Sequence, residues 1–585
     1  MERSGDEEKC LSSTQTSPRQ QSGAGVKISE KNDQMSMSYT ARLCLLNTSE
    51  HKESSTIEHV LTPNLNSQEN ELDRSSTTIS NTECQNSSDD YRHPDFEVQL
   101  DLNDPENPKS WPLWYRSIIV ACVSLGSFSV VFHSTTYMRN MPGMLQEFKL
   151  RDSPLLTLGV TTYLSGIATG SLILAPLSEM YGRRPVYSVS MFIFVILVLP
   201  CALAKSLPTI IVGRYFSAFA GSVMVSNAAG SISDNFSGKY RPLALSLWSL
   251  APLNGPAIGF LTAGFVSEKL GWRWNNWIVM AVSGIAWAFL SSIKETYRPV
   301  LVRKKVLRLR KETKDNRWWS PYDHELNLFH KLRDNISRPF ILTYTEPILW
   351  FWNIYIALIY GTFYLSLVSF PIVFGQIRGW SQGITGLAFS GVAIGTLLAI
   401  ACEPLLRYIV DQHKKDPETG RIKPESSVIA VCLASILSPV AQLCFAWTST
   451  PITIHWILPV LSGIPLGAGY FFVMVYGVNY ITESYGIYAA SALAGNVVSR
   501  NIVGGIMPLV GSILYRKIGP RWTGTVLGAL LMALIPIPFT FYFYGHKIRA
   551  KSLMLKKMRL LSQLEEKSAG VMDSSRNKGN RILIA

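Results

Sequence analysis

Polar and apolar positions divide this chain unevenly. Residues 1 to about 110 are rich in Ser, Thr, Asn and Glu, carry few aromatics, and show no sustained period of 2 or 3.6. Such a segment lacks the apolar area that offsets the entropy of ordering, so residues 1–110 are expected to form a disordered tail. From Trp111 onward apolar runs recur, each near the roughly 20 residues that a spanning helix needs. Twelve are counted: 115–137, 154–177, 186–204, 207–230, 243–267, 274–293, 347–370, 384–403, 428–447, 455–480, 486–513 and 522–545. The pattern predicts an all-α membrane protein with twelve transmembrane helices.

A long polar stretch at 294–345 splits the runs six and six, and carries thirteen Lys and Arg against six acids. The expected organisation is a six-helix bundle at 111–293, a basic central loop at 294–345, a second six-helix bundle at 346–545, and a basic tail at 546–585. The two halves share no strong residue-level repeat. Loops on the side of the termini hold twenty-two Lys and Arg, those on the opposite side ten, so both termini and the central loop are expected to be cytoplasmic.

Composition sharpens the class. Only 16% of residues are charged and 47% are hydrophobic, against about 25% charged in soluble domains. The net charge of +14 would suit nucleic acid, but these cations sit between apolar runs rather than on one folded face, so anionic lipid accounts for them and no nucleic-acid partner is expected. The eight cysteines (Cys10, Cys44, Cys84, Cys122, Cys201, Cys402, Cys432, Cys444) show no CxxC pair or ligand spacing, so neither disulfide framework nor metal is expected. The opening MERSGDEEKC has acids and no apolar core; no cleaved leader is expected, and the first span serves as the insertion signal. Asn47-Thr48-Ser49 reads as a chance sequon on a cytosolic tail.

Candidate chemistry lies at span ends. Between the second and third runs stands Ala175-Pro176-Leu177-Ser178-Glu179-Met180-Tyr181-Gly182-Arg183-Arg184-Pro185. Glu179 three residues before Gly182 can bridge to a guanidinium or a neighbouring helix terminus, a contact whose breaking would switch the face; a plain basic anchor is the alternative. Arg214 lies within the fourth run, where a charge is costly and should face a cavity or a partner. In the fifth run Ala251, Gly255 and Gly259 recur every four residues, and Pro256 follows Asn254-Gly255, giving a smooth stripe with a kink. His133 titrates in the useful range for proton exchange, and Arg500 is a further cavity candidate; Glu346 and Glu403 sit near the cytoplasmic ends of their runs. Phe363, Tyr364, Tyr470, Phe471 and Tyr476, with Asn479 and Asn496, would line an aromatic pocket for drug-sized molecules, though each also suits ordinary helix packing. No phosphate-cradling Gly-Lys-Ser/Thr loop, hydrolase elbow or zinc motif is present, so no enzyme and no cofactor is expected.

These motifs carry a resemblance. The loop is similar to the Gly-x-Leu-x-Asp-x-x-Gly-Arg-Arg/Lys pattern of major facilitator transporters, landing on Ala175, Leu177, Glu179, Gly182, Arg183 and Arg184, with Ala for the first Gly and Glu for Asp, as in fungal members. Arg214 matches the span-four Arg that this family links to proton coupling, although Ser217 and Ala218 stand where bacterial drug exporters tend to have Gln and Gly. The span-five stripe resembles the Gly-x-x-x-Gly-Pro-x-x-Gly-Gly motif of antiporters, with Ala251 and Phe260 at two of its Gly positions. Asp104–Trp111, Lys294–Leu301 and Tyr488–Ala492 look like fungal twelve-span drug:proton antiporters, and the resemblance covers about residues 104–546. It implies two pseudo-symmetric bundles that rock about a midplane site, exporting drugs, toxins or secondary metabolites across the fungal plasma membrane in exchange for protons. The implied partners are a small-molecule substrate, protons and the lipid bilayer, acting on a monomer. A polyamine exporter of the same fold, a non-transporting sensor or receptor, and a vacuolar membrane location are the alternatives.

Overall fold

The structure is a computed structural model that describes residues 96–101, 104–149, 154–236, 240–322, 328–413, 423–552 and 554–556. The tail up to residue 95, with Cys10, Cys44, Cys84 and Asn47, and the C-terminal tail from residue 557 lie outside the described residues.

Among the described residues the architecture is helical, with one isolated parallel bridge between Glu97 and Trp319. Eleven helical segments are long and apolar enough to cross a membrane. In chain order these are spans one to five (Leu113–Glu147, Leu155–Tyr181, Arg183–Ala202, Leu207–Asn235, Leu243–Lys269) and spans seven to twelve (Pro347–Ile377, Gln382–Asp411, Pro424–Ser449, Ile457–Tyr485, Ala489–Lys517, Gly519–Lys551). Span six is Trp272–Ser292, a 21-residue helix whose first five residues include Arg273, Asn275 and Asn276, so that it reads as less apolar.

Several spans outrun their apolar stretches. Span one continues to Glu147, well past the expected end at 137, because Arg139 and Asn140 are buried in the bundle instead of facing lipid. Hydropathy loses a helix where polar side chains turn inward. The central stretch also departs from expectation: instead of a loop it forms two helices, Arg298–Thr313 and Leu328–Thr345. Val302 and Val306 of the first are buried against Val98 and Leu100, which gives that basic helix an apolar seat.

Twelve spans return the chain to its starting side, so residues 97–101 and 104–112, the central helices and Ser552 share one face, here the terminal face, opposite a far face. Spans one to six and seven to twelve pack as two bundles that meet along two seams, span two with eleven and span five with eight. Spans seven and ten each contain a widened π-helical turn, at Pro371–Ile377 and Val473–Gly477, a distortion that often marks functional positions.

Candidate functional site

The loop after span two is built around a carboxylate far away in sequence. Gly182 takes φ 106° and ψ 159°, a region open essentially to glycine, and a Cβ there would stand 2.4 Å from Glu295 Oε2. The space is needed because Glu295 caps span three: Oε1 accepts from the Arg183 N–H at 2.9 Å and Oε2 from the Arg184 N–H at 3.2 Å. The N–H groups of Thr296 and Tyr297 also donate to Oε1, both at 2.9 Å. A buried acid at a helix N-terminus satisfies orphan donors and meets the positive end of the dipole.

Arg183 ties the same corner to span four. Its Nη1 donates to Ser178 Oγ at 2.7 Å, its Nε donates to Asp234 Oδ2 at 3.3 Å, and its guanidinium lies 4.7 Å from the Tyr297 ring centre. Glu179, the acid singled out in the sequence, stands 3.7 Å from Arg183 and is 43% exposed. Asp234 and Glu295 therefore hold this corner more than Glu179 does, since exposed pairs contribute little. Arg184 donates to the Ser291 carbonyl at 2.8 Å.

The second bundle carries a counterpart with the charges exchanged. Glu425, at the start of span nine, accepts from Arg549 near the end of span twelve through two bonds of 2.8 and 2.7 Å. A Cβ at Gly545 would meet Glu425 Cγ at 2.6 Å, so here too a glycine clears room for the acid. In the first half the Arg follows span two and the Glu follows span six; in the second the Glu follows span eight and the Arg ends span twelve.

Residues ahead of span one strap the central helix to this face. Lys305 donates to Asp104 at 2.5 Å, Arg308 to Glu106 at 2.5 Å, and Arg298 to the Leu100 carbonyl at 3.2 Å. Asp104–Trp111 thus pairs with the helix Arg298–Thr313, which begins within the other segment the sequence marked, Lys294–Leu301. The Lys305 hydrogen bond holds the Asp104 carboxyl below the usual carboxylate range, and burial pushes the Tyr297 hydroxyl up to about 12.

Arg214 is 1% exposed, and its guanidinium is held by backbone carbonyls: Gly159 at 2.7 Å, His133 at 3.2 Å and Ser134 at 3.1 Å. Tyr137 and Tyr163 flank it at 4.2 and 4.5 Å. The His133 ring is fully buried, edge-on to Tyr163 at 5.3 Å and Phe194 at 5.9 Å, and neither ring nitrogen has a hydrogen-bond partner among the described residues. A second cation beside Arg214, with no carboxylate in that cluster, would be opposed by Coulomb repulsion and by the cost of burying charge.

In span five, Gly255 and Gly259 lie against span one: a Cβ at Gly259 would come within 2.8 Å of the Phe132 carbonyl oxygen, and one at Gly255 within 3.4 Å of that of Phe128. Pro256 and Ala251 share this helix, and Asn254 turns the other way, accepting from Thr396 of span eight at 2.6 Å. That contact is one rung of the seam between the bundles. Toward the far face follow Phe260 and Phe389, with ring centres 5.0 Å apart, then Glu268, which accepts from the Gly383 N–H at 2.6 Å. Arg139 of span one also donates to the Gln382 carbonyl. Toward the terminal face Ser246 donates to Glu403 at 2.7 Å.

The centre of the second bundle is aromatic. Phe363 stacks on Tyr470 at 4.2 Å and 13°, and Tyr360 tilts against Tyr364 at 4.9 Å. The Tyr364 hydroxyl crosses to Ser134 at 2.9 Å, and the Tyr360 hydroxyl lies 3.3 Å from Asn501. Arg500 sits 5.5 Å from the Tyr360 ring centre and reaches Met474 sulfur at 3.6 Å; its Nε has no partner among the described residues. Asn496 donates to Asn353 at 2.9 Å. Phe471 is buried, the buried Tyr476 hydroxyl has no partner among the described residues, and Asn479 is exposed, so these three do not join the Phe363–Tyr470 stack.

Sequence reading missed Asp234, Glu295, Glu425 and Arg549. The only local cue was position, each a charge beside the end of a span.

The profile of the Major Facilitator Superfamily matches residues 123–504. A "Citrinin biosynthesis cluster MFS transporter mrr1" of Monascus ruber is 37% identical, over 77% of this chain and 90% of its own length. "Efflux pump FUB11" of Gibberella moniliformis is 34% identical, over 80% of each chain. The "Major facilitator superfamily multidrug transporter mdrA" of Aspergillus fumigatus is 35% identical, over 78% of this chain and 75% of its own. Among solved structures, a D-xylose-proton symporter superposes with a TM-score of 0.53 at 15% identity, covering 72% of this chain and 97% of that one, a likeness of fold.

Proposed function

The chain belongs to the Major Facilitator Superfamily, and on that premise we propose that it exports drug-like or secondary-metabolite molecules from a fungal cell by exchange for protons. The names of its relatives, an efflux pump, a multidrug transporter and a citrinin-cluster transporter, support the direction and the substrate class. The terminal face is cytoplasmic in this reading, consistent with its excess of Lys and Arg, and the bilayer is the plasma membrane.

The observation that carries the proposal is the seating of Gly255 and Gly259 on span one. A Cβ at either glycine would already touch the backbone of span one, so no water fits between the two helices at these positions, and an exchanger must pass protons only with a change of state. Arg214 places a fixed buried cation nearby, available to an anionic or proton-bearing partner when the bundles rock. The stacked Phe363 and Tyr470, in a cluster without carboxylates, suit flat organic molecules better than polyamines, which need acidic partners. The gating role is assigned to the Gly182 corner, where Glu295, Asp234 and Arg183 fix the terminal end of the first bundle as it moves against the second.

Inside-out vesicles given an acidic lumen test this. Accumulation of the dye rhodamine 6G above that of vesicles lacking the protein, abolished when nigericin collapses the gradient, is expected. Accumulation indifferent to nigericin refutes proton exchange.

A further inference from the structure

Spans five and eight run antiparallel along the seam, and an acid reaches across it at each end. On the far face Glu268 of the first bundle holds the Gly383 N–H of the second. On the terminal face Glu403 of the second bundle is 7% exposed, accepts from Ser246 Oγ of the first at 2.7 Å, and pairs with Arg407 on its own helix. Arg407 also lies 3.3 Å from Ser246 Oγ. Among the contacts across this seam, the terminal end thus rests on an ionisable group that a proton can neutralise.

We propose that Glu403 is the proton-exchanging latch of the terminal face: ionised, it holds span eight to span five through Ser246 and Arg407, and protonated, it lets that face open. This rests on the exchange reading above. A proton from the far side adds to the carboxylate, and the ion pair with Arg407 is lost. Asp411, four residues further along the same helix, offers the freed guanidinium a second carboxylate. When the terminal face opens, water there takes the proton and the carboxylate can close the latch again. One proton crosses per opening, in the direction opposite to export.

The surroundings favour such a group. Among the described residues Arg407 of its own span pairs with Glu403, and Tyr476 of span ten, whose buried hydroxyl has no partner among the described residues, lies within electrostatic reach of Glu403, Arg407 and Asp411. Span five contributes the Ser246 hydroxyl, whose bond to the ionised carboxylate is charge-assisted and about twice as strong as the neutral bond left once the acid is protonated. His133, by contrast, sits beside Arg214 without a carboxylate. Tyr476 lies in the widened turn Val473–Gly477.

Pulsed EPR distances test the idea without a known substrate. Spin labels go at Leu243→Cys and Tyr408→Cys, both exposed at the terminal ends of spans five and eight, with the native cysteines replaced. In liposomes, lowering the pH is expected to enlarge the long-distance population. Glu403→Gln is expected to hold it enlarged at every pH, and Glu403→Asp to restore a titration. Ser246→Ala, a second route should the Gln variant fail to fold, is expected to enlarge it at neutral pH with the titration intact. A Gln variant that titrates like the parent, a parent without pH dependence, or an inert Ser246→Ala overturns the proposal. In the vesicle assay Glu403→Gln should lose gradient-driven dye uptake yet keep dye exchange. If parent uptake itself ignores the gradient, the exchange reading falls instead, whatever the distances show.

Discussion

Replacing Gly182 by Ala concentrates three costs on one methyl group. The backbone at φ 106° and ψ 159° is strained for any residue with a Cβ, at about 1–3 kcal/mol. The new Cβ would lie 2.4 Å from Glu295 Oε2 and 2.8 Å from its Cδ, so the carboxylate must withdraw. It then gives up the Arg183 and Arg184 N–H groups, two charge-assisted bonds of about 1.5–3 kcal/mol each, with no discount for solvent because Glu295 is buried. A double-mutant cycle with Glu295→Ala separates the terms, since that change removes both the bonds and the clashing atoms. The Gly182→Ala penalty should shrink to the backbone strain alone, a coupling of about 3 kcal/mol or more. Apparent melting of the detergent-solubilised protein and dye uptake in vesicles report it. Additive effects of the two substitutions, or a Gly182→Ala protein that melts and transports like the parent, would refute the reasoning.

Two further outcomes follow from the same geometry. Arg214→Lys should insert in the membrane yet lose most dye uptake, because a point-like ammonium cannot reach the Gly159, His133 and Ser134 carbonyls together; uptake at half the parental rate or better contradicts this. The folded Asp104 carboxyl is depressed by Lys305, so its pairing contributes above the ordinary value of about 3.9 and is lost as pH falls through the lower folded value. The effect is about 1 kcal/mol or less, as both ends are partly exposed. Hydrogen exchange of residues 104–110 should quicken, after correction for intrinsic rates, in that acid window and not in Asp104→Asn.

Element type was legible where apolar runs matched a bilayer, and ends were not, because Arg139 and Asn140 are buried polar residues that hydropathy counts as solvent. The central helix went unread because its cations dominated, although Val302, Val306 and Leu309 fall at helical spacing on one side. Local spacing identified Arg183 and Gly182 but assigned them to Glu179; the acid that needs the glycine is 112 residues from Arg183. Such pairing is fixed by the return of the chain after four more spans, which no window of sequence contains. Glu403 was visible as a charge near a span end, and what it touches across the seam was not.

The tether at Arg183 and Glu295 and its inverted counterpart at Glu425 and Arg549 each close within a single half, over 112 and 124 residues. A nascent chain can therefore complete the first as soon as span six has entered the membrane, with none of the second half yet synthesised. Each half carries its own clasp through biogenesis, and halves made as separate polypeptides should still find one another and assemble. Their opposite polarity also bars a simple exchange of loops between the halves, since the arginine loop of the first would then face Arg549.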